Sequence, residues 1–167
     1  EGESIEVPAQ LPYVLPLGLN IGRASGGAFD IGIGDAVRAW GFGPDAANSP
    51  EIEAALKRSR HPAYDLIEID GNQVLKKQAI TIDLNGIAKG FGVDRLAETL
   101  TNHGIHSGLV GIDGEMRALG LRPDGEPWAI AVEAPEIDCR KPHSLLSLQD
   151  AAVATSGDYR HWVTVQG

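Results

Sequence analysis

Residues 79–95 read AITIDLNGIAKGFGVDR, and they hold the clearest arrangement for chemistry in the chain. Ile80, Ile82 and Leu84 alternate with Thr81 and Asp83, which predicts a strand. Asn85-Gly86 predicts a turn. From Ile87 to about His103, Val93, Leu96, Ala97 and Leu100 fall on one helical face. A strand that turns at glycine into a helix presents free backbone N–H groups at the helix start. Those donors and the helix dipole attract anions, phosphate above all. Lys89 puts a cation in the first turn, where the dipole alone disfavours it. An anionic ligand explains that placement better than stability does. The plainer reading is an ordinary strand-to-helix connection with an exposed lysine, and spacing alone favours that one.

A second candidate is Ser25-Gly26-Gly27-Ala28-Phe29-Asp30. Gly26 and Gly27 allow positive φ and close approach of the backbone to a ligand. Asp30 in this small-residue loop suits a carboxylate that accepts a hydrogen bond from a ring N–H or a sugar hydroxyl. It suits equally well the N-cap of a helix over Ile31–Trp40. Both readings stand. Thr155-Ser156-Gly157-Asp158 forms a third small polar loop.

Other chemistries are poorly supported. The net charge of −9 argues against nucleic acid as the main partner, so an anion would need a local pocket. Cys139 is the single cysteine, which excludes an internal disulfide and a multi-thiolate metal site. His103 and His106 lack a nearby third ligand. Ser156 lacks the G-x-S-x-G setting of a nucleophile elbow. The Gly32/Gly34 and Gly41/Gly43 spacings follow no strand of a βαβ unit, so they make no dinucleotide fingerprint. No apolar run reaches the 20 or so residues of a membrane span.

The elements that must position these groups follow from periodicity and punctuation. Ser4–Val7 reads as a short strand, and Ala9–Ala24 as a kinked or partial helix, because Pro16 and Gly18 interrupt it. Ser49, followed by Pro50 and Glu51, predicts an N-cap and a helix to about Ser59. Tyr64–Asp70 and Gln73–Lys77 read as a hairpin across Gly71-Asn72. After the long helix come short strands at Gly108–Ile112, Met116–Leu121, Trp128–Val132, Ser144–Leu148, Ala151–Thr155 and Tyr159–Val165. Helices, a hairpin, a long helix and an antiparallel meander make an α+β fold with a largely antiparallel sheet and packed helices. A chain of 167 residues is expected to form one domain, here read as a single partial domain over residues 1–167.

Four blocks together carry a family resemblance. Ser25–Pro44, SGGAFDIGIGDAVRAWGFGP, resembles the GGAFD segment of the ApbE family, the FAD:protein FMN transferases. Ile82–Arg95, IDLNGIAKGFGVDR, resembles its D-L-G-G-I-A-K-G-x-x-x-D block. Gly108–Gly120, GLVGIDGEMRALG, resembles its I-G-G-D-I-R-A-L-G block, and Ala152–Tyr159, AVATSGDY, its A-T-S-G-D-Y block. Asn85 and Asp113 stand where glycine is common in that family.

The resemblance implies a T-fold-like domain that binds FAD. It implies transfer of the FMN half to a threonine hydroxyl of a target flavoprotein, with Mg2+ and release of AMP. It implies flavin contacts at Gly27 and Asp30, FAD contacts at Asp83 and Lys89, and a flavin-lining loop at Thr155 and Ser156. Gly86 would give its backbone carbonyl to the metal, unless the register puts Ala88 there. Asp83 and Asp94 carry a structural alternative, one bonding the turn and the other in an ion pair or cap. The family's H-x-I-D-P-x-T-G and D-A-x-A-T blocks do not occur in these residues. The second of them supplies metal ligands. The chain is therefore expected to be an internal portion of the catalytic domain that binds magnesium weakly. The alternatives are a non-catalytic flavin-binding or scaffold domain, and an FAD pyrophosphatase. The family is commonly exported, to the periplasm or a membrane anchor.

Overall fold

Helix α1, Leu11–Ala24, runs without interruption. The expected interruption at Pro16 does not divide it. Pro16 lies inside the helix, where it removes one intrahelical backbone bond. The buried stripe Val14, Leu15, Gly18, Leu19 and Gly22 supplies the packing that holds the helix. Gly18 is part of that packing. A Cβ there would stand 2.7 Å from Ile31 Cγ2, so the helix can lie against Ile31 only because residue 18 has no side chain.

The structure is a computed structural model that describes residues 2–44 and 46–157. The expected strand Tyr159–Val165, with Asp158 and His161, lies outside the described residues. The fold divides into two compact units, the first running to Ile87 and the second starting at Ala88.

In the first unit, strands β1 (Ser4–Glu6), β2 (Ile67–Asp70) and β3 (Gln73–Lys76) form an antiparallel sheet in the order β1-β3-β2. The hairpin turns at Gly71-Asn72 as expected, with Gly71 at φ +55°. Leu15, Leu19, Ile31, Ala63, Ile67 and Val74 form the buried core. Each of the Leu, Ile and Val side chains contributes about 1.5–3 kcal/mol by leaving water.

Several elements differ from the sequence expectation. Tyr64–Leu66 is not strand: Ala63–Leu66 forms a helical turn, α4, after Pro62. The Asp65 N–H bonds the Pro62 carbonyl, and the Ala63 N–H is held by Asp30, which curls the chain before β2. The strand expected over Ile80–Leu84 is not a ladder strand. That segment instead lies along residues 31–34: the Gly34 N–H bonds the Thr81 carbonyl at 3.0 Å, and the Asp83 N–H bonds the Ile31 carbonyl at 2.8 Å. Those bonds hold Ile31 and Gly32 out of the following helix, so α2 spans Gly34–Ala39, not Ile31–Trp40. Helix α3, Ser49–Lys57, ends two residues early, and its cap is Asn48, whose Oδ1 accepts the Glu51 N–H, rather than Ser49.

Asp35 ties α2 to the residues after α3. Its Oδ1 accepts from Arg60 at 2.5 Å and its Oδ2 from Arg58 at 2.8 Å. Partial burial pushes this carboxyl up, but the Arg60 hydrogen bond, the Ala36 N–H and the two guanidinium charges outweigh it and hold it below the usual range. A depressed carboxylate adds stability that is present above its unfolded pKa and lost as pH falls through the folded one. Asp35→Asn is therefore expected to cost about 1–2 kcal/mol at neutral pH and far less near roughly pH 2. Urea denaturation at both pH values measures this, and an equal cost at both would contradict it.

Helix α5, Asn85–Asn102, has its first three residues in the first unit and the rest in the second, to which it contributes buried Val93 and Ala97. Its start is two residues before the expected Ile87. Strands β4 (Gly108–Ile112), β5 (Glu115–Leu119) and β8 (Ala152–Val153) form an antiparallel sheet, and β6 (Trp128–Glu133) pairs antiparallel with β7 (Pro142–Leu148). Strand β5 stops short of Leu121 because Gly120, at φ +53°, turns away, and its N–H bonds Asp150 Oδ1 at 2.7 Å. The expected antiparallel α+β character is what the described strands show, since every pair among them is antiparallel. No described helix is long and apolar enough to cross a membrane.

Candidate functional site

The first unit carries Gly27, Asp30, Asp83 and Gly86. Gly26 and Gly27 end α1, with φ +62° and +86°, and their N–H groups bond the Arg23 and Gly22 carbonyls. Their positive φ thus closes a helix, and a Cβ on either would meet open space. Asp30 does not cap the helix, as one of the two sequence readings had it, since the residue before α2 is Ile33 and has no side-chain cap bond. Its Oδ1 instead accepts the Gly32 N–H at 2.8 Å and the Ala63 N–H at 3.1 Å. Both bonds use one oxygen, which leaves Oδ2 out of this frame.

Asp83 bonds the start of α5: its Oδ1 accepts the Asn85 N–H at 3.0 Å, and its Oδ2 the Asn85 Nδ2 at 2.9 Å. This is the turn-bonding geometry weighed for it from the sequence. Gly86 sits under an aromatic ring, where a Cβ would stand 3.0 Å from Phe29 Cε2. None of these four residues lines the 390 Å³ cavity of this unit, which is walled instead by Asp35, Arg58, Lys76, Gln78 and Thr81.

The second unit carries Lys89, Thr155 and Ser156. Lys89 is not a free cation. Its Nζ lies 2.9 Å from Glu115 Oε2 and 3.4 Å from Asp113 Oδ2. Its interaction with the Glu115 carboxylate raises its pKa above the ordinary lysine value; desolvation opposes this, and the charge of Glu115 and then the hydrogen bond and charge of Asp113 add to it. The ammonium is therefore fully charged at neutral pH. Two carboxylates of this chain are thus partners of the cation at this helix position, for which the sequence weighed an anionic ligand against an ordinary exposed lysine.

Asp94 pairs with Arg117 of β5 at 2.6 Å. Thr155 and Ser156 line a cavity of about 560 Å³ with Met116, Ile130, Val132 and His143. Its wall combines apolar side chains with two hydroxyls, an imidazole and the Glu133 carboxylate. Such a surface receives a flat, partly polar group by burying its faces and bonding its edge.

A model of the ApbE family matches residues 1–167. The chain belongs to the ApbE family. The protein named FAD:protein FMN transferase from Vibrio cholerae is 37% identical over 168 residues, covering 99% of this chain and 50% of that relative. Its namesake from Haemophilus influenzae is 35% identical over 171 residues, covering 98% of this chain and 49% of the relative. Among solved structures, the flavin transferase ApbE from Vibrio cholerae has TM-score 0.80 at 34% identity, over 98% of this chain and 54% of that one. The ApbE protein from Thermotoga maritima has TM-score 0.82 at 30% identity, with the same two coverages. The chain spans about half the length of the curated relatives it matches. The fold is that of the ApbE structures.

Magnesium asks for about six oxygens in near-octahedral order. Among the described residues no three His, Cys, Asp or Glu side chains come together to hold a metal. The Asp83 carboxylate is taken up by Asn85, and Gly86, expected to give a carbonyl, lies within the first turn of α5. The described part of this ApbE chain therefore does not fit a complete magnesium site. Sequence reasoning missed Glu115 and His143 as neighbours of the expected site residues. For Glu115 a signal existed: acids on both sides of a hairpin glycine, beside a block holding one lysine.

Proposed function

We propose that the protein carrying this ApbE chain is an FAD:protein FMN transferase. The observation that carries the reading is the Vibrio cholerae relative of that name, which this chain matches over 99% of its residues. The four sequence blocks in family order support it independently. In the proposed reaction, a threonine Oγ of a target flavoprotein attacks the FMN phosphorus of FAD. The new P–O ester forms as the P–O bond to AMP breaks. The threonine proton is lost, and AMP leaves.

The chain's own residues take these parts in the reading. Lys89 meets the diphosphate and offsets charge that moves toward the leaving group. Asp30 offers Oδ2 to the flavin, from a loop whose backbone its Oδ1 already fixes. Thr155 and Ser156 line the wall against which the flavin lies. Magnesium, when bound, would supply neutralisation of the diphosphate; Gly86 would give one ligand, and the reading looks for the others in the part of the relatives that this chain does not span. Export to the periplasm, with membrane anchoring, belongs to the same proposal and rests on family membership.

The test is the fate of FAD in the full-length protein with magnesium. AMP release that requires a threonine-bearing acceptor is the expected result. AMP together with free FMN, and no need for an acceptor, would instead establish a pyrophosphatase. FAD binding without AMP release under either condition would leave a flavin-binding domain.

A further inference from the structure

The turn between β4 and β5 places two unequal carboxylates on one ammonium. Glu115 is the inner one: its side chain is 13% exposed, and its Oε2 lies 2.9 Å from Lys89. That oxygen is buried with no aligned hydrogen-bond donor among the described residues, so the Lys89 charge is what offsets it. Asp113 is the outer one, 86% exposed and 3.4 Å away. With two acids on one base, the trio carries a net charge of −1. An anion approaching Lys89 from solvent therefore meets an excess of negative charge.

The hairpin does not need the Asp113 carboxylate. Asp113 has φ +46° and Gly114 φ +98°, a turn with two left-handed residues. Asparagine and glycine adopt that backbone at least as readily as aspartate. No side-chain bond from Asp113 other than the one to Lys89 holds the turn among the described residues. The side chain is solvated and can swing away from the ammonium without unpacking anything.

We propose that Asp113 is a displaceable counter-charge that competes with the flavin substrate's diphosphate for the Lys89 ammonium. Asp113 thereby lowers substrate affinity and shapes its dependence on salt, while Glu115 stays in place. This rests on the reading above that Lys89 meets the diphosphate.

The test is FAD affinity, followed by flavin fluorescence in the full-length protein without acceptor. Asp113→Asn is expected to tighten binding about threefold at low salt, and to lose that gain at about 0.5 M salt. Lys89→Met is expected to weaken binding and to abolish the effect of Asp113→Asn in the double variant. Asp113→Gly, which relieves the backbone as well, is expected to act in the same direction. No tightening in either Asp113 variant, with Lys89→Met still weakening binding, would overturn the competition and leave the Lys89 reading intact. Equal tightening with and without Lys89 would show that Asp113 acts on the anion directly, which also overturns it. Unchanged binding in Lys89→Met would remove both the Lys89 reading and this proposal.

Discussion

Asp30→Ala is expected to destabilise the protein by about 2–4 kcal/mol, because it strips the acceptor from two backbone N–H groups at once. One of those groups precedes α2 and the other opens α4, so the carboxylate joins segments about thirty residues apart in a core that includes Ile31 and Ala63. Asp30→Asn keeps an Oδ1 acceptor and is expected to lose less than half as much. Guanidinium denaturation of the two variants measures the difference. A loss under about 0.5 kcal/mol for alanine would show that water or a shifted backbone satisfies both donors. The result also governs how activity is read. An inactive alanine variant reports on folding as much as on flavin contact. A well-folded asparagine variant with weakened flavin affinity is the cleaner sign that Oδ2 touches the ligand.

Lys89→Met is expected to lower kcat/KM for FMN transfer about a hundredfold, the scale seen when one preorganised donor to developing charge is removed. Most of that loss should fall on kcat, since charge grows on the diphosphate as the bond to AMP breaks. The fold should tolerate the change less well than an ordinary surface substitution, because Glu115 Oε2 then loses its offsetting charge. The double variant Lys89→Met/Glu115→Gln removes both charges together. It is expected to recover stability but not transfer. Recovery of transfer as well would assign Lys89 a purely structural role.

What the sequence made legible follows the reach of local signals. The Gly71-Asn72 and Asp113-Gly114 hairpins and the long helix appear where periodicity and turn residues place them, whereas the expected meander splits, with β5 pairing β8 and β6 pairing β7. Elements set by distant partners do not. Residues 80–84 have the alternation of a strand, yet their backbone bonds go to the loop at 31–34 and not to a ladder. Pro16 would break an isolated helix, whereas the apolar face of α1 holds it. Asp30 looked like a ligand group or a cap. Its observed bonds depend on Ala63, which no local pattern around residue 30 points to. The misplaced charge of Lys89 was visible at once, but its partners lie 24 and 26 positions later.

The most direct measurement of the central claim is the intact mass of a target domain bearing the acceptor threonine. The domain is incubated with the full-length protein, FAD and magnesium. The account predicts a gain of one esterified FMN, lost when the acceptor threonine is replaced by alanine and strongly reduced with Lys89→Met. An unmodified target alongside saturable FAD binding would contradict the transferase reading, and would leave this chain as part of a flavin-binding protein.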